Sequence, residues 1–305
     1  MNRIVELVVH AMLLLGLPPL LLGIIGRVKA FAGGRSGPPL LQPYRDLIRL
    51  LRKGAVYSRS TTWVFRMAPI IVLSSTVVAG CVLPLAAARA PLAFDGDLVV
   101  FAYLLGLGRF LTMCAALDTG SSFEGMGASR EAAFSALAEP AIFLGLLTLV
   151  VATGHLSLSA IFASLAATPG ASPALWLAAA ALVGVLLAEN ARIPVDDPTT
   201  HLELTMIHEV MVLDHSGPDL ALIEYGGAVK LFVTAVLLLG VVAPGALGHP
   251  LSVTLGTCLV AAGIGAVEST MARLRLPRVK QFLIGAGALA AVALAAELLV
   301  RGAGG

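Results

Sequence analysis

The sequence predicts an all-α polytopic membrane protein with about eight transmembrane helices and an amphipathic cytoplasmic helix after the first. Of its 305 residues, 58% are hydrophobic and only 12% are charged, against about 45–50% and about 25% in ordinary soluble domains. Apolar runs of about 20 residues, the length that crosses the hydrocarbon core of a bilayer, recur along the whole chain. A soluble globular protein is therefore excluded, as are disordered, coiled-coil and small secreted classes.

The apolar runs predict transmembrane helices at about 4–26, 68–88, 98–117, 134–154, 174–190, 225–243, 251–271 and 282–300. The first run is interrupted by His10 and Pro18-Pro19 and no small-residue cleavage site follows it, so we interpret it as a transmembrane helix and not a signal peptide. No internal repeat or low-complexity linker divides the chain. We therefore expect residues 1–305 to form a single integral membrane domain.

Basic residues are distributed unevenly between the loops. Fifteen of the 20 Lys and Arg residues lie in one set of alternate loops, nine of them between residues 27 and 66, and three lie in the opposite set. Positively charged loops stay on the cytoplasmic side of a membrane. Because the predicted number of spans is even, both termini are expected on the non-cytoplasmic side.

An amphipathic helix with a basic face is predicted after the first span, within residues 37–53. Leucines and an isoleucine alternate there with Arg45, Arg49, Arg52 and Lys53. Such a helix lies along an anionic cytoplasmic leaflet or docks a cytoplasmic partner. The residues leave both roles open.

Carboxylates are concentrated in the middle third of the chain, where 12 of the 18 lie between residues 118 and 224. Glu139, Glu189, Glu224 and Glu268 lie in or at the ends of apolar helices, where an ionisable group is costly unless it is paired or hydrated. Low-dielectric surroundings move carboxyl protonation toward neutral pH, which suits proton exchange. The alternative is a structural role as ion-pair partners of Arg109, Arg192 or Lys230.

The segment 188–211 is too polar for an ordinary span. Pro194 and Pro198 interrupt it, and a new helix is predicted to begin near Thr200. Three histidines then follow at intervals of seven residues, at His201, His208 and His215. Ligands seven residues apart on a helix are about 10 Å apart along its axis, too far to share one metal ion. We therefore predict no metal site, but a polar helix that faces a hydrated cavity or a partner and offers proton relays.

The glycine-rich segment 117–131 lacks the Lys-Ser/Thr ending and the preceding strand of a phosphate loop. We expect a tight cytoplasmic turn pinned by Asp118 and Arg130. No Ser-His-Asp arrangement on a strand-to-helix elbow and no HExxH pair is found, so a hydrolase or protease is disfavoured. The cysteines Cys81, Cys114 and Cys258 are far apart and predict neither disulfides nor a metal site.

Three separated motifs carry a family resemblance. They are Gly37-Pro38 with Gln42-Pro43, the run Leu117-Asp-Thr-Gly-Ser-Ser-Phe-Glu-Gly-Met-Gly-Ala-Ser-Arg-Glu, and Ala188-Glu-Asn-x-Arg-x-Pro-x-Asp-x-Pro with Glu203-Leu204 and Ser216-Gly217. Together they resemble the eight-helix membrane subunit shared by respiratory complex I and the membrane-bound nickel–iron hydrogenases. Within that family, the second motif and His201-Leu-Glu-Leu-Thr-Met-Ile-His-Glu resemble the hydrogenase-4 and formate hydrogenlyase branch.

This resemblance implies a membrane-anchoring and ion-coupling subunit of the prokaryotic plasma (inner) membrane, without a catalytic residue or redox centre of its own. Nickel–iron and iron–sulfur centres would belong to other subunits, and no cofactor to this chain. The implied partners are the cytoplasmic hydrogenase large and small (iron–sulfur) subunits, antiporter-like membrane subunits and lipid, but no nucleic acid. The coupled ion is a proton or Na⁺.

The resemblance also implies site residues. The proposed relay comprises Glu139, Glu189, Asp196, Asp197, Glu203, Glu209 and Glu224, of which Glu139 and Glu224 are assigned by position and burial only. The supporting loop and ion pairs comprise Asp118, Arg130, Glu131, Arg192, His201 and His208. The amphipathic pattern, and not the resemblance, assigns partner docking to Arg45, Arg49, Arg52 and Lys53.

Two alternative functions remain at this point. The first is the quinone-site subunit of an NADH:quinone oxidoreductase, the only interpretation in which quinone binds here. The second is a stand-alone secondary ion carrier, which is disfavoured because such carriers show internal repeats and paired broken helices.

Overall fold

The computed structural model describes residues 3–168, 172–196 and 206–303, and this part of the chain is helical without strands. That result confirms the predicted fold class. The α-helices are α1 (Arg3–Gly16), α2 (Pro18–Ala32), α3 (Gln42–Leu51), α4 (Trp63–Val82), α5 (Asp97–Asp118), α6 (Ser122–Thr153), α7 (Leu158–Ala167), α8 (Pro173–Glu189), α9 (Gly217–Val242), α10 (Pro250–Thr270) and α11 (Leu276–Ala303). Short 3₁₀ helices cover Glu209–Val212 and Pro244–Gly248.

Six helices of the described chain are long and apolar enough to cross a membrane: α4, α5, α6, α9, α10 and α11. The pair α1 and α2, bent by 42°, is long and apolar enough for a seventh when it is counted as one broken span. The apolar helix α8 has 17 residues, so it is about 26 Å long, slightly shorter than a hydrocarbon core of about 30 Å. Each of the eight predicted segments thus corresponds to a helix or to the bent pair.

Helix α9 lies at the centre of the bundle and is the most buried of the spans. It contacts α4, α2, α3, α8 and α10, while α6 packs on α8 and α11. Gly226 allows α9 to approach α4, because a Cβ at this position would lie 3.0 Å from Val72 Cγ1 and 3.4 Å from the Leu73 backbone. Arg109 of α5 and Glu189 of α8 are buried within this packing.

The break between α1 and α2 leaves backbone carbonyls, among them those of Leu15 and Gly16, without a helical partner. Pro19 has no N–H to donate to Leu15 O, and the Leu20 N–H donates to Leu17 O, so Gly16 O is also left. The Tyr225 hydroxyl donates to Leu15 O at 2.6 Å, and the Tyr44 hydroxyl donates to Gly16 O. The two tyrosines therefore attach the break to α9 and α3.

Tyr225→Phe is expected to destabilise the protein, because it removes the donor for a carbonyl that no backbone N–H of the broken helix satisfies. Loss of such a partner costs about 1–3 kcal/mol. The melting midpoint of the purified protein in detergent measures this effect, and an unchanged midpoint would contradict the role of Tyr225 at the break.

The predicted amphipathic helix is present as α3, with no buried residue. Arg45, Arg49, Arg52 and Lys53 are exposed, and Arg49 contacts Asp46 at 3.1 Å. Its contacts with α2 and α9 hold α3 against one end of the bundle. The basic side chains are therefore available on a supported surface.

The prediction of a polar helix from about Thr200 is wrong for residues 206–216. This stretch holds only the 3₁₀ helix Glu209–Val212, so His208 and His215 do not share an α-helical face. Asp196 Oδ2 accepts the backbone N–H groups of Ile207 and His208 at 3.0 and 3.1 Å. This side-chain pairing competes with helical hydrogen bonding.

The glycine-rich segment 117–131 is mostly helical, and only residues 119–121 lie between α5 and α6. Asp118 and Arg130 do not contact each other: Asp118 Oδ2 accepts the Thr62 N–H at 2.7 Å, and Arg130 Nη1 donates to Met206 O at 2.9 Å. The turn at residues 119–121 is short, as expected, but the two side chains attach its flanking helices to other segments and not to each other. Gly127 packs α6 on the 3₁₀ segment, since a Cβ there would lie 2.3 Å from Val210 Cγ1.

Candidate functional site: a buried line of ion pairs

The centre of the candidate site is an ion pair between Arg109 of α5 and Glu189 of α8. Arg109 Nη1 lies 2.7 Å from Glu189 Oε1, and the two side chains are only 5% and 2% exposed. Arg109 Nη2 also lies 3.3 Å from Oε1 of Glu139 on α6. One guanidinium thus connects two carboxylates on different helices.

Glu189 has a second cationic neighbour. Lys230 Nζ of α9 lies 3.6 Å from Glu189 Oε2. Buried charges are stabilised by opposite charges in contact with them. The order Glu139, Arg109, Glu189, Lys230 therefore alternates in sign across four helices.

The end of α8 determines where Glu189 lies. Ala191 adopts a left-handed φ of 48°, and the Arg192 N–H donates to Leu187 O while the Ala191 N–H donates to Ala188 O. These are the hydrogen bonds of a Schellman motif, in which glycine is the usual left-handed residue. Asn190 Nδ2 also donates to Thr234 Oγ1 at 3.0 Å, so the last turn of α8 is attached to α9.

Two cavities meet at Glu189. The inner cavity, about 20 Å³, is lined by Arg109, Glu131, Glu189 and Asp196 among other residues. The large cavity, about 310 Å³, is lined by Glu189, Arg192, His208, Glu209, Glu224 and Lys230 among other residues. A water molecule occupies about 30 Å³ of liquid volume, so the large cavity has room for several.

A third space lies on the other side of Arg109. This lateral groove, about 520 Å³, runs between α5 and α6 and is lined by Tyr103, Gly106, Arg109, Phe110, Glu139 and Phe143 among other residues. Arg109 is thus shared by the inner cavity and the lateral groove, as Glu189 is shared by the inner and large cavities. The Glu189–Arg109 pair separates three adjoining spaces.

The structure brings together most of the relay residues predicted from the sequence. Those that line the three spaces are Glu139, Glu189, Asp196, Glu209 and Glu224, together with Glu131. Asp197, Glu203 and His201 lie outside the described residues. Their predicted roles stay predictions.

Asp196 combines an ion pair with hydrogen bonds to the backbone. Oδ1 lies 2.8 Å from Arg273 Nη2, and Oδ2 accepts the backbone N–H groups of Ile207 and His208. These contacts hold the segments on either side of the undescribed residues 197–205. Asp196 therefore has the contacts of an anchor.

Asp118 lies apart from the ion-pair line. Its Oδ2 accepts the Thr62 N–H, the Thr62 hydroxyl and the Phe65 N–H at 2.7, 3.0 and 3.3 Å. A carboxylate at the first turn of a helix satisfies free N–H groups and complements the helix dipole. Asp118 thus caps α4.

Arg192 joins a second buried ion-pair group. Its Nη1 lies 3.6 Å from Glu268 Oε1, and Lys29 Nζ lies 2.9 Å from Glu268 Oε2. The Glu268 side chain is fully buried. This group ties the segment after α8 to α2 and α10.

The two described histidines of the segment 206–216 are held in neutral form. Burial, together with the charge of Lys230, lowers the pKa of His208 to about 4. Burial lowers the pKa of His215 to about 4, and its ring is stacked on Phe65 at a centroid distance of 3.9 Å. Among the residues that the structure describes, no group of three or more His, Cys, Asp and Glu side chains is placed to hold a metal ion.

Sequence reasoning named Arg109 and Lys230 only as alternative ion-pair partners of the buried acids and did not assign them to the site. Arg109 and Lys230 carry the line, and Asn190 fixes its end, but none was a predicted site residue. The available signal was the position of Arg109 and Lys230 inside apolar spans, where a buried charge indicates a partner.

Comparison with known proteins identifies the family. A family model described as NADH dehydrogenase matches residues 4–300 of the chain. The chain belongs to the NADH dehydrogenase family. Its membership agrees with the resemblance carried by the three sequence motifs.

Relatives in the NADH dehydrogenase family include subunits of hydrogenase complexes. Formate hydrogenlyase subunit 4 of Escherichia coli (strain K12) is 33% identical over 304 residues, covering 94% of this chain and 97% of the relative. Hydrogenase-4 component C of the same organism is 35% identical over 235 residues, covering 77% and 74%. One subunit of the NADH-quinone oxidoreductase of Anaplasma phagocytophilum (strain HZ) is 29% identical over 234 residues, covering 70% and 68%.

A solved structure shares the fold. A chain of the membrane-bound sulfane sulfur reductase, described as an archaeal respiratory membrane complex, superposes with a TM-score of 0.81. The superposition covers 97% of this chain and 100% of that chain at 20% sequence identity. The bundle described above is therefore the fold of a known respiratory membrane subunit.

Proposed function

We propose that this chain is the membrane-anchoring and ion-coupling subunit of a hydrogenase-4 or formate hydrogenlyase-type complex. In this role it seats cytoplasmic hydrogenase large and small (iron–sulfur) subunits and neighbours antiporter-like membrane subunits in a prokaryotic plasma membrane. Nickel–iron and iron–sulfur centres belong to those partners. The similarity to formate hydrogenlyase subunit 4 over nearly the whole chain supports this class.

The single observation that carries the coupling role is the Glu189–Arg109 pair between three adjoining spaces. A proton that enters the large cavity meets Glu224 or Glu209 and then Glu189. From Glu189 it reaches Glu131 in the inner cavity and Glu139 in the lateral groove. Arg109 and Lys230 hold Glu189 between them. A change of charge in one cavity therefore alters the proton affinity of the carboxylates in the adjoining cavity.

Not all predicted acids take the same role in this proposal. Glu131, Glu139, Glu189, Glu209 and Glu224 exchange protons, because each lines at least one of the spaces. Asp196 and Asp118 position backbone segments. Arg192 and Arg130 act as supports, through Glu268 and the Met206 carbonyl respectively.

The docking surface for cytoplasmic partners is assigned to α3, with Arg45, Arg49, Arg52 and Lys53. The helix is attached to the bundle by the Tyr44 hydroxyl and by contacts with α2 and α9. A partner that pulls on α3 therefore acts directly on the helices that line the large cavity. In this orientation the basic loops are cytoplasmic and both termini are not.

A second candidate function is the quinone-site subunit of an NADH:quinone oxidoreductase. The observation that favours it is an apolar cavity of about 250 Å³ between α3, the α1–α2 break and α9, lined by Pro19, Tyr44, Leu47, Ala221 and Tyr225 among other residues. The relative from Anaplasma phagocytophilum is named for such an enzyme.

Purification through a tag on this chain, in a gentle detergent, tests the proposal. We expect co-purified subunits that contain nickel and iron and evolve or oxidise hydrogen, identified by metal analysis and mass spectrometry. A flavin, NADH-oxidising subunits and bound quinone would support the second candidate instead. A chain that purifies alone and transports ions in vesicles would overturn both.

A further inference from the structure

The Glu139 side chain is exposed at the depth of the hydrocarbon core, where no water is present to solvate a carboxylate. Its partner Arg109 lies 12 residues after Asp97 and 9 residues before Asp118, the ends of the spanning helix α5, so the pair is about 18 Å and about 14 Å from those ends along α5. The Glu139 side chain is 49% exposed, whereas that of Arg109 is 5% exposed. The exposed half faces outward from the bundle, near the middle of a span.

The surroundings of Glu139 form a recess in the side of the bundle. Tyr103, Phe110 and Phe143 rim the lateral groove and are 68%, 57% and 37% exposed. Gly106 forms part of its floor, and a Cβ there would lie 4.0 Å from Glu139 Oε1. Wide space, aromatic walls and one acidic group make this face unlike an ordinary lipid-facing surface.

Lipid acyl chains do not meet the hydrogen-bonding requirement of the carboxylate in this groove. Acyl chains match the aromatic walls but offer no hydrogen-bond donor, and a carboxylate left unsatisfied in hydrocarbon is costly in either protonation state. Arg109 approaches Oε1 from inside at 3.3 Å, which leaves the outward half of the group to be satisfied from outside. The occupant therefore needs an apolar body and a polar side chain at the depth of Glu139.

We propose that the lateral groove binds a transmembrane helix of another membrane subunit, and that this helix presents a hydrogen-bond donor to Glu139. The inference rests on the proposed function only in that the chain is one subunit of a membrane complex. It does not require ions to move through Glu139. Aromatic side chains and small residues at the groove are suited to helix packing in a bilayer, where close contact and polar pairs stabilise association.

Helix α10 provides a contrasting face. Its outward side chains Leu251, Leu255 and Leu259, spaced by four residues, are 60–74% exposed and purely apolar. Lipid acyl chains alone are a suitable environment for this stripe. It supplies matched control positions at similar exposure.

Site-specific photocross-linking in native membranes that contain the intact complex tests the proposal. We expect benzoylphenylalanine in place of Phe110 to link to a membrane-spanning peptide of another subunit of the complex, and the same probe in place of Leu259 to link to lipid. Peptide mapping should place a donor side chain within about one helical turn, 3.6 residues, of the linked residue. Lipid adducts alone at position 110, a link to a second copy of this chain, or a partner segment without a donor would overturn the proposal.

A filling substitution gives a second measurement. Gly106→Phe is expected to occupy the groove and release the neighbouring membrane subunit, with at least a fivefold loss of its co-purification, roughly 1 kcal/mol. Gly263→Phe on α10, where a Cβ also meets nothing within 3.9 Å, should retain it. Equal retention in the two variants would overturn the proposed interface. That result would leave the coupling role untouched, since coupling is tested at Glu189.

Discussion

Glu189→Gln is expected to reduce the ion-coupled activity of the assembled complex by at least about tenfold, equivalent to about 1.4 kcal/mol. Glutamine keeps the size of the side chain but removes the exchangeable proton and the negative charge. The loss is large because Glu189 is shared by the inner and large cavities and contacts both Arg109 and Lys230. Hydrogen turnover and ion movement in membrane vesicles are the two measurements.

Two variants separate relay from structural loss. Glu189→Asp keeps a titratable group and should restore part of the coupled activity. Glu297→Gln removes another buried carboxylate, whose Oε2 accepts from Ser172 Oγ at 2.9 Å at the other end of α8, and should leave coupling unchanged. If Glu189→Gln assembles normally and shows wild-type turnover with wild-type ion movement, Glu189 is not a relay. If it fails to assemble and Glu189→Asp restores assembly alone, the ion pairs are structural.

Gly23→Ala is expected to displace α3 and the segment before it. A Cβ on Gly23 of α2 would lie 2.1 Å from the Leu40 carbonyl oxygen, and a backbone atom cannot rotate away as a flexible side chain does. Forced overpacking of this kind costs about 1–3 kcal/mol, and occasionally more. The expected result is a lower melting midpoint of the purified complex and loss of the cytoplasmic subunits from it.

Gly26→Ala is the matched control on the same helix. Its Cβ would lie 3.9 Å from Pro38 Cγ, an ordinary contact, so stability and subunit content should stay close to wild type. Equal melting midpoints for the two variants would contradict the close packing of α2 on residue 40. A destabilised Gly23→Ala complex that retains its cytoplasmic subunits would contradict the docking role of α3.

The helices themselves were predictable because the signal for each is local. Every apolar run of about 20 residues corresponds to a helix, and the basic amphipathic pattern after the first span corresponds to α3. The break in the first span was visible as Pro18-Pro19, but not its angle, since the hydroxyls of Tyr44 and Tyr225 stabilise it. Helix α7 was missed because its 10 residues are too few for a span.

The segment after α8 could not be predicted by the same reasoning. Heptad spacing of His201, His208 and His215 indicated a helix, but Asp196 accepts the N–H groups that such a helix would use. Asp118 and Arg130 lie close in the sequence and yet contact different segments. In each case a partner distant along the chain competes with the local pattern.

The sequence by itself determined the class of protein, its spans, the basic loops and the family, because hydrocarbon crossing and motif spacing are properties of short stretches of chain. Only the tertiary structure decided which charges meet. Arg109, Glu189 and Lys230 lie on α5, α8 and α9 and pair with one another. Glu268 is also a buried glutamate, but it pairs with Lys29 and Arg192. The physical reason is that ion pairs between helices depend on which helices pack together. In a bilayer every span is apolar, so the pattern of apolar residues does not show which spans are neighbours.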